Sequence, residues 1–201
     1  PEIDVQVSED YISPNGDGRQ DDTRISFRAS EPVTWRGSIR AENGEVVLQT
    51  GSDVTTSLIV WDGTSSSGEF AGEGRYTMEA TFTDVAGTTF SPPRETVVVD
   101  VTDPVVEVDL NRTYFSPDDD GIKDTVRARL ETSEPVRGVL ELTDRAGRDF
   151  GTFGGFGRAA QVFDGTFSYE WSGISGSGLI VPDGTYVVSS TFQDFAGNRV
   201  E

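Results

Sequence analysis

The sequence of 201 residues contains no cysteine and no histidine. Zinc sites built from these side chains, disulfides, thiolate nucleophiles and Ser-His-Asp triads are therefore excluded. No stretch of 18 apolar residues occurs, so the sequence predicts no membrane-spanning helix. The absence of cysteine leaves the compartment open, because proteins without disulfides occur on both sides of a membrane.

Basic residues are also scarce, with 16 Lys and Arg against 35 Asp and Glu and a formal net charge of −19. Both halves of the chain are acidic. Such a polyanion repels phosphate backbones and anionic membrane surfaces, so we expect neither nucleic-acid binding nor membrane insertion. The excess of acid has two interpretations: a well-solvated surface, or an accumulation of ligands for cations.

A tandem repeat organises the chain. Residues 13–21 read Ser-Pro-Asn-Gly-Asp-Gly-Arg-Gln-Asp and return 103 positions later, in residues 116–124, as Ser-Pro-Asp-Asp-Asp-Gly-Ile-Lys-Asp. Beyond Gly147 the offset becomes 110, because the second copy has seven additional residues before Trp171. The repeat predicts two domains, residues 1–103 and residues 104–201. The second copy has no counterpart of the last strand expected in the first copy, so we expect that strand to be missing from it.

The hydrophobic residues alternate with polar ones almost everywhere, which is typical of strands with one buried face. Examples are Tyr76, Met78, Ala80 and Phe82 in the first copy and Phe167, Tyr169 and Trp171 in the second. Turn dipeptides at hairpin positions are Asn43-Gly44, Asp62-Gly63, Asp164-Gly165 and Asp183-Gly184. The pattern predicts an all-β protein of two tandem immunoglobulin-like (fibronectin-III-like) antiparallel β-sandwiches with about seven strands each.

The repeated acidic segments have the spacing of a calcium loop. Such a loop places oxygen ligands at alternate positions, with Gly at the sixth position and a backbone carbonyl at the seventh. In loop one (residues 13–22) the candidate ligands are Asn15, Asp17, the carbonyl of Arg19, Asp21 and Asp22. In loop two (residues 116–124) they are Asp118, Asp120, the carbonyl of Ile122 and Asp124. We expect Ca²⁺ to be the cofactor, with loop two the tighter site.

The match to a helical calcium hand is incomplete, because the twelfth position is Arg24 or Arg127 instead of a bidentate Glu. The alternative interpretation is a pair of Asx turns, in which Asn and Asp side chains accept hydrogen bonds from nearby backbone amides. The sequence alone leaves both interpretations open.

Four segments together resemble a known module. They are the Ser-Pro-Asn-Gly-Asp-Gly-x-x-Asp opening, the central Trp-Asp-Gly, the Pro-Asp-Gly-Thr-Tyr turn and the Asp-x-Ala-Gly-Asn ending. The combination is similar to the FlgD-type Ig-like module of flagellar hook-capping proteins and of the C-termini of gliding-motility and cell-surface proteins. Copy one departs from it at Ala71 to Gly74, and copy two at Asp118 to Asp120 and at Ser172. The resemblance implies a non-catalytic bacterial sandwich that is exported from the cytoplasm.

Aromatic side chains are the remaining candidates for binding. Trp61 and Trp171 end alternating strands and are either core anchors or sugar-stacking surfaces. The seven additional residues of the second copy lie in or near residues 151–163, a segment that is rich in Gly and Phe. Phe153, Phe156 and Phe163 are either the contacts of a partner-binding loop or side chains folded onto the core.

The most consistent function is a non-enzymatic structural or adhesive segment of a larger exported bacterial protein. It would be periplasmic, cell-surface or secreted, and would act as a spacer or scaffold for protein partners or for neighbouring domains. A carbohydrate-binding or ligand-binding module and a hook-cap-like assembly scaffold are the alternatives.

Overall fold

The computed structural model describes residues 2–152 and 161–201. The chain divides into two compact units, Pro1–Thr102 and Asp103–Glu201. All regular structure in the described residues is β-strand, which confirms the all-β fold class. None of these residues belongs to a helix with the length and apolar character needed to cross a bilayer.

Unit 1 is one folded seven-stranded sheet. Its strands are β1 (Ile3–Val7), β2 (Tyr11–Ile12), β3 (Thr23–Ala41), β4 (Val46–Trp61), β5 (Gly74–Asp84), β6 (Thr89–Phe90) and β7 (Glu95–Val99). The order is β1-β3-β5-β7-β2, with β4 paired to β3 and β6 paired to β5. All pairs are antiparallel except β2 with β7.

The long strand β3 links two layers of unit 1. Its pairing with β4 shifts register between Arg28 and Val33, across Ser-Glu-Pro, where Pro32 has no N–H to donate. The first half of β3 pairs with β1 and the second half with β5. The Phe27 ring, on the first half, meets the Phe82 ring of β5 edge to face at 4.8 Å. The two halves of one strand thus enclose the core between them.

The strands of unit 2 form two separate sheets instead of one folded sheet. Its strands are β8 (Val106–Leu110), β9 (Val126–Thr132), β10 (Val136–Asp144), β11 (Asp149–Thr152), β12 (Gln161–Phe163), β13 (Thr166–Trp171), β14 (Tyr186–Gln193) and β15 (Arg199–Val200). One sheet has the order β11-β10-β14-β15 with β12 on β10, and the other has the order β13-β9-β8. The Ser-Glu-Pro that bends β3 separates β9 from β10.

The core of unit 2 lies between these sheets. Trp171 of the three-stranded sheet meets Tyr186 of the five-stranded sheet at a ring distance of 5.4 Å. Leu130 and Phe192 are almost fully buried in the same cluster. The alternation seen in the sequence therefore does mark the inward faces.

The expectation that four turn dipeptides close hairpins is only partly correct. Asn43-Gly44 joins β3 to β4, with the Gly44 N–H donating to the Ala41 carbonyl at 2.9 Å. Asp164-Gly165 instead connects strands of different sheets, because β12 pairs with β10 while β13 pairs with β9. A turn dipeptide fixes the local reversal but not the sheet that the next strand joins.

Candidate metal-binding loops

Each unit contains one acidic loop in the connection that leads to its central strand, β3 or β9. The two loops follow the same backbone path, because φ is positive at three matched positions. These positions are Gly16 (81°), Gly18 (83°) and Gln20 (47°) in loop one, and Asp119 (63°), Gly121 (83°) and Lys123 (62°) in loop two. The Ser13 N–H donates to the Gln20 carbonyl at 2.8 Å, and the Ser116 N–H to the Lys123 carbonyl at 3.0 Å. Chemical differences between the loops therefore come from their side chains.

Loop one is closed by its own hydrogen bonds. Both oxygens of Asp21 accept backbone N–H groups at 2.8 Å, Oδ1 from Gly16 and Oδ2 from Gly18. The Oδ1 atom of Asp17 accepts the N–H of Arg19 at 2.8 Å. The Arg19 guanidinium lies 3.9 Å from the other oxygen of Asp17, so this carboxylate already has a cation beside it.

The remaining candidate side chains of loop one, Asn15 and Asp22, also have partners within the chain. The Asn15 Oδ1 atom accepts the N–H of Asp17 at 3.0 Å, which is an Asx turn. Asp22 lies 3.6 Å from the Arg24 guanidinium. Within the described residues, no three acidic side chains of this loop converge on one point. Loop one thus has the geometry of the Asx-turn interpretation.

Loop two instead brings three carboxylates together. Oxygens of Asp118, Asp120 and Asp124 lie within 4.8 Å of one another. The Ser116 hydroxyl donates to one oxygen of Asp118 at 3.2 Å, and the Ile122 N–H donates to one oxygen of Asp120 at 2.7 Å. Asp118 and Asp120 each retain a second oxygen, and both side chains are exposed.

Asp124 carries the clearest difference between the loops. Its Oδ2 atom accepts the Gly121 N–H at 2.9 Å, as Asp21 does from Gly18. Its Oδ1 atom is buried and has no hydrogen-bond partner. In loop one the matching oxygen is satisfied by the N–H of Gly16. A buried carboxylate oxygen without a donor is costly, and it is the kind of atom that a bound cation satisfies.

The cluster in loop two has the chemistry of a hard-cation site. Each pair of unit charges at 4.8 Å repels by about 1 kcal/mol even in water. A divalent cation among the three carboxylates would remove this repulsion, and oxygen-only ligands suit Ca²⁺ or Mg²⁺. The Ile122 carbonyl follows Asp120 and Gly121 in the place of a calcium loop's seventh ligand.

Both loops rest against the Trp-x-Gly motif of their own unit. A Cβ atom added to Gly63 would lie 3.0 Å from the Cγ atom of Pro14, and one added to Gly173 would lie 2.7 Å from that of Pro117. Both glycines have φ near +74°, at 74° and 73° respectively. The Ser-Pro and Trp-x-Gly motifs recur together because they touch, and any side chain at the glycine would displace the loop.

The two repeated tryptophans are structural. Trp61 and Trp171 are 1% and 5% exposed. Their indole N–H groups donate at 2.8 Å to the carbonyls of Thr64 and Ile174, three residues onward in each case. Neither ring can stack on a sugar, so the core interpretation holds for both.

The structure corrects one candidate partner contact. Phe163 is 4% exposed and packs edge to face with Phe167 at 5.3 Å and with Phe192 at 5.6 Å. It therefore belongs to the core. Its strand β12 pairs with β10, and its side chain lies on the inward face of that sheet. Phe153 and Phe156 lie outside the described residues.

Aspartates that begin Ala-Gly turns act as local caps. The Asp84 Oδ1 atom accepts the N–H groups of Ala86 and Thr88 at 2.9 and 2.8 Å. The bond from the Thr88 N–H, with that from Ala86, holds the pKa of Asp84 below its ordinary value. Asp194 accepts two N–H groups in the same way, at 2.7 and 3.0 Å. These acids hold their turns by accepting backbone N–H groups.

The sequence interpretation missed a groove in unit 2. It has a volume of about 630 Å³, and its lining includes Tyr114, Phe115, Val181 and Tyr186. Its lining residues lie far apart in the sequence, within residues 113–118 and 180–186 and at Arg145, so no local pattern indicated it.

Comparison of the sequence with protein-family models and with curated proteins finds no match. Solved structures that resemble the chain include fibronectin-III-like domains. The fibronectin(III)-like modules of Clostridium thermocellum CbhA match with a TM-score of 0.45 and 15% identity, over 100% of this chain and 90% of that one.

Two further structures match part of their own length. A 1.5-MDa bacterial ice-binding adhesin matches with a TM-score of 0.41 and 16% identity, over 98% of this chain and 61% of that one. The FN1–FN3 domains of chicken CNTN1 match with a TM-score of 0.41 and 10% identity, over 96% and 59%. Similarities this low carry no information about activity or partners.

Proposed function

We propose that this chain is a non-catalytic structural or adhesive segment of a larger exported bacterial protein, built from tandem Ig-like modules of the FlgD type. It would act as a spacer or scaffold that holds neighbouring domains apart and presents loops to protein partners. Ca²⁺ bound at loop two would stiffen the second module. The site of action would be the periplasm, the cell surface or the medium.

The scaffold part is supported by the construction of each unit. Each has its own buried aromatic core, around Trp61 in unit 1 and around Trp171 in unit 2. The acids with well-defined partners, such as Asp21 and Asp84, are used to close loops and turns. A chain organised in this way transmits force and position, and it needs no reacting group to do so.

The calcium part is carried by the buried, unpartnered Oδ1 atom of Asp124 beside the carboxylates of Asp118 and Asp120. Ca²⁺ would satisfy this atom and at the same time offset two of the three negative charges of the cluster. Because the site requires the folded loop, binding would stabilise the folded unit. At a free Ca²⁺ concentration 100 times the Kd, the gain is about 2.7 kcal/mol.

Calorimetry of the whole chain tests this proposal. In excess Ca²⁺, relative to chelator, we expect one of two thermal transitions to rise by roughly 10–20 °C, since 1 kcal/mol moves the Tm of a domain of about 100 residues by about 4–8 °C. Asp120→Ala should abolish the rise. The matched variant Asp17→Ala in loop one should retain it.

Two outcomes contradict the proposal. Identical melting curves in Ca²⁺ and in chelator remove the metal. A rise that Asp17→Ala abolishes and Asp120→Ala preserves would put the site in loop one. Single-molecule stretching addresses the scaffold part: two separate unfolding events are expected, with only one strengthened by Ca²⁺.

A further inference from the structure

Asparagine is rare in this chain, and one of its four asparagines begins an acceptor sequence for N-linked glycosylation. Such a sequence is Asn-x-Ser or Asn-x-Thr, where x is any residue except Pro. Residues 111–113, Asn-Arg-Thr, satisfy it, whereas Asn15, Asn43 and Asn198 do not begin one. Because so short a sequence also arises without being used, the accessibility of its atoms decides whether it can act.

The acceptor sequence lies in an exposed connection of unit 2. Asn111 directly follows the strand β8, and residues 111–113 belong to no strand or helix. Asn111 and Thr113 are both exposed. At the matching positions of unit 1, Ser8 and Asp10 are exposed as well, in a unit where β7 is in place. The exposure is therefore a property of this connection in both units, and glycosylated asparagines lie in surface segments of this kind.

The two polar atoms of the Asn111 side chain have different surroundings. The Oδ1 atom accepts the N–H of Arg127 at 2.8 Å, and the backbone N–H of Asn111 donates to the Arg127 carbonyl at 2.9 Å. The Nδ2 atom, which carries the glycan in N-linked glycosylation, has no hydrogen-bond partner among the described residues. The oxygen thus fixes the side chain, and the nitrogen stays available for reaction.

The amide nitrogen of Asn111 is not needed for the fold. In unit 1 the Ser8 hydroxyl accepts the N–H of Arg24 at 2.9 Å, and the Ser8 N–H donates to the Arg24 carbonyl at 3.0 Å. A hydroxyl oxygen therefore satisfies the same backbone group that the Oδ1 atom of Asn111 satisfies in unit 2. The structural contact explains the oxygen of Asn111 and gives no role to its nitrogen.

The second group of the acceptor sequence is also accessible. Within residues 2–152 and 161–201 the Thr113 hydroxyl forms no hydrogen bond, and Thr113 lies two positions from Asn111 in the same connection. The acceptor sequence requires both side chains, so a transferase must reach both. In this connection neither of them is covered or engaged at the atom that matters.

A glycan on Asn111 is compatible with the fold. An N-linked asparagine is still an amide, so its Oδ1 atom still accepts the Arg127 N–H. The glycan would extend from the end of β8, a strand that pairs with β9 alone in the described part of the chain and carries the exposed side chains of Val108 and Leu110. A bulky, hydrated group beside such an edge hinders its pairing with another chain.

We propose that Asn111 is a site of N-linked glycosylation. The donor is an oligosaccharide linked to a lipid through a diphosphate. The Nδ2 atom attacks C1 of the first sugar, the C–N bond forms as the C–O bond to the diphosphate breaks, and the proton released from Nδ2 ends on the departing diphosphate lipid. The inference rests on the proposed export, because this modification belongs to proteins that leave the cytoplasm.

Glycosyl transfer to the purified, folded chain tests the inference. The chain is incubated with an oligosaccharyltransferase and its lipid-linked donor, and intact mass spectrometry follows the product. We expect one added glycan per chain, which peptide mapping should place at Asn111. Asn111→Gln and Thr113→Ala should each abolish the added mass, whereas Thr113→Ser should retain it because the acceptor sequence is preserved.

Two control variants separate the site from general effects. Asn43 lies in an exposed turn without an acceptor sequence, so Asn43→Gln should leave the added mass unchanged. Asn111→Ser introduces the residue found at the matching position of unit 1, so it should lose the glycan without a shift in the Tm of the unmodified chain. Loss of the glycan in this variant is then not a consequence of unfolding.

A standard Asn-x-Thr peptide in the same reaction shows that the transferase is active. The inference is overturned if that peptide is modified and the folded chain is not, or if the added glycan persists in Asn111→Gln. Because the reaction uses purified chain, its outcome does not depend on export. A chain that accepts the glycan here and lies in the cytoplasm of its own cell would contradict the proposed export and not the reactivity of Asn111.

Discussion

The two units share their motifs, yet the base of loop one is fully hydrogen-bonded, while loop two leaves one buried carboxylate oxygen without a partner. In loop one Asp21 receives two backbone N–H groups, whereas Asp124 receives one and has a buried oxygen without a partner. In unit 1 β7 lies between β5 and β2 and covers the core, and among the described residues of unit 2 Tyr114 and Tyr186 line a groove. Repetition of a sequence motif therefore preserves the backbone path, while the side chains decide whether every buried carboxylate oxygen of the loop is hydrogen-bonded.

The largest expected effect comes from placing a charge on the buried face of β7 in unit 1. Val97→Asp places a carboxylate at a fully buried position of unit 1, in the apolar cluster that includes Ile12 and Trp61. We expect a loss of about 3–5 kcal/mol, as for other uncompensated buried charges. Calorimetry should show one transition falling steeply and the other unchanged.

The control for this variant is Val187→Asp on β14 of unit 2. Val187 is 44% exposed, so its substitution should cost no more than about 1 kcal/mol. Equal losses for the two variants would contradict the difference in burial between Val97 and Val187.

The next largest effect distinguishes Asp21 of loop one from Asp124 of loop two by the calcium dependence of the stability that each contributes. Asp21→Ala removes two charge-assisted bonds and should cost about 2 kcal/mol with or without Ca²⁺. In chelator, Asp124→Ala should lower the free energy of unfolding by less than Asp21→Ala does. In Ca²⁺ at 100 times the Kd, the loss caused by Asp124→Ala should be about 2.7 kcal/mol larger than in chelator, because the variant no longer binds the cation. Chemical denaturation in both buffers measures the four values, and a calcium-dependent cost for Asp21→Ala would reverse the assignment.

The sequence predicted much of the fold, because alternation and turn residues act locally. The inward positions Tyr76, Met78 and Phe82 lie on one strand and are buried, as their spacing indicates. The path of β3 through both layers was not predictable, since the same Ser-Glu-Pro bends a strand in unit 1 and separates two strands in unit 2. That difference depends on long-range pairing with β4.

The sequence predicted which residues form the candidate site, but it did not predict which of their oxygens are hydrogen-bonded. The spacing of Asp118, Asp120 and Asp124 indicated oxygens that converge, and their oxygens do lie together. The sequence could not show that Gly16 donates to Asp21 while the equivalent bond to Asp124 is absent. Hydrogen-bond satisfaction depends on angles of a few tens of degrees, and composition does not encode them.

A smaller effect comes from exchanging one residue between the loops. Asp119 has a φ of 63°, a conformation that favours glycine, and loop one has Gly16 at this position. Asp119→Gly should stabilise unit 2 in chelator by about 0.5–1 kcal/mol, and Gly16→Asp should destabilise unit 1 by a similar amount. Urea denaturation of both variants in chelator measures these values. A loss of stability in Asp119→Gly would show that the Asp119 side chain contributes more than its backbone strain costs.

The smallest expected effect distinguishes two turn acids. The N–H of Thr88 lowers the pKa of Asp84, and the N–H of Arg148, aided by that residue's guanidinium at 3.1 Å, lowers the pKa of Asp144. Because both pKa values lie below the unfolded value of about 3.9, the stabilisation is fully present above that pH. It is lost as the pH falls through the folded-state values. High salt should raise the pKa of Asp144 more than that of Asp84, because salt screens the guanidinium but leaves the short N–H bonds intact. NMR titration of the carboxyl groups at low and high salt measures both shifts. Equal salt shifts would mean that Arg148 contributes only its backbone.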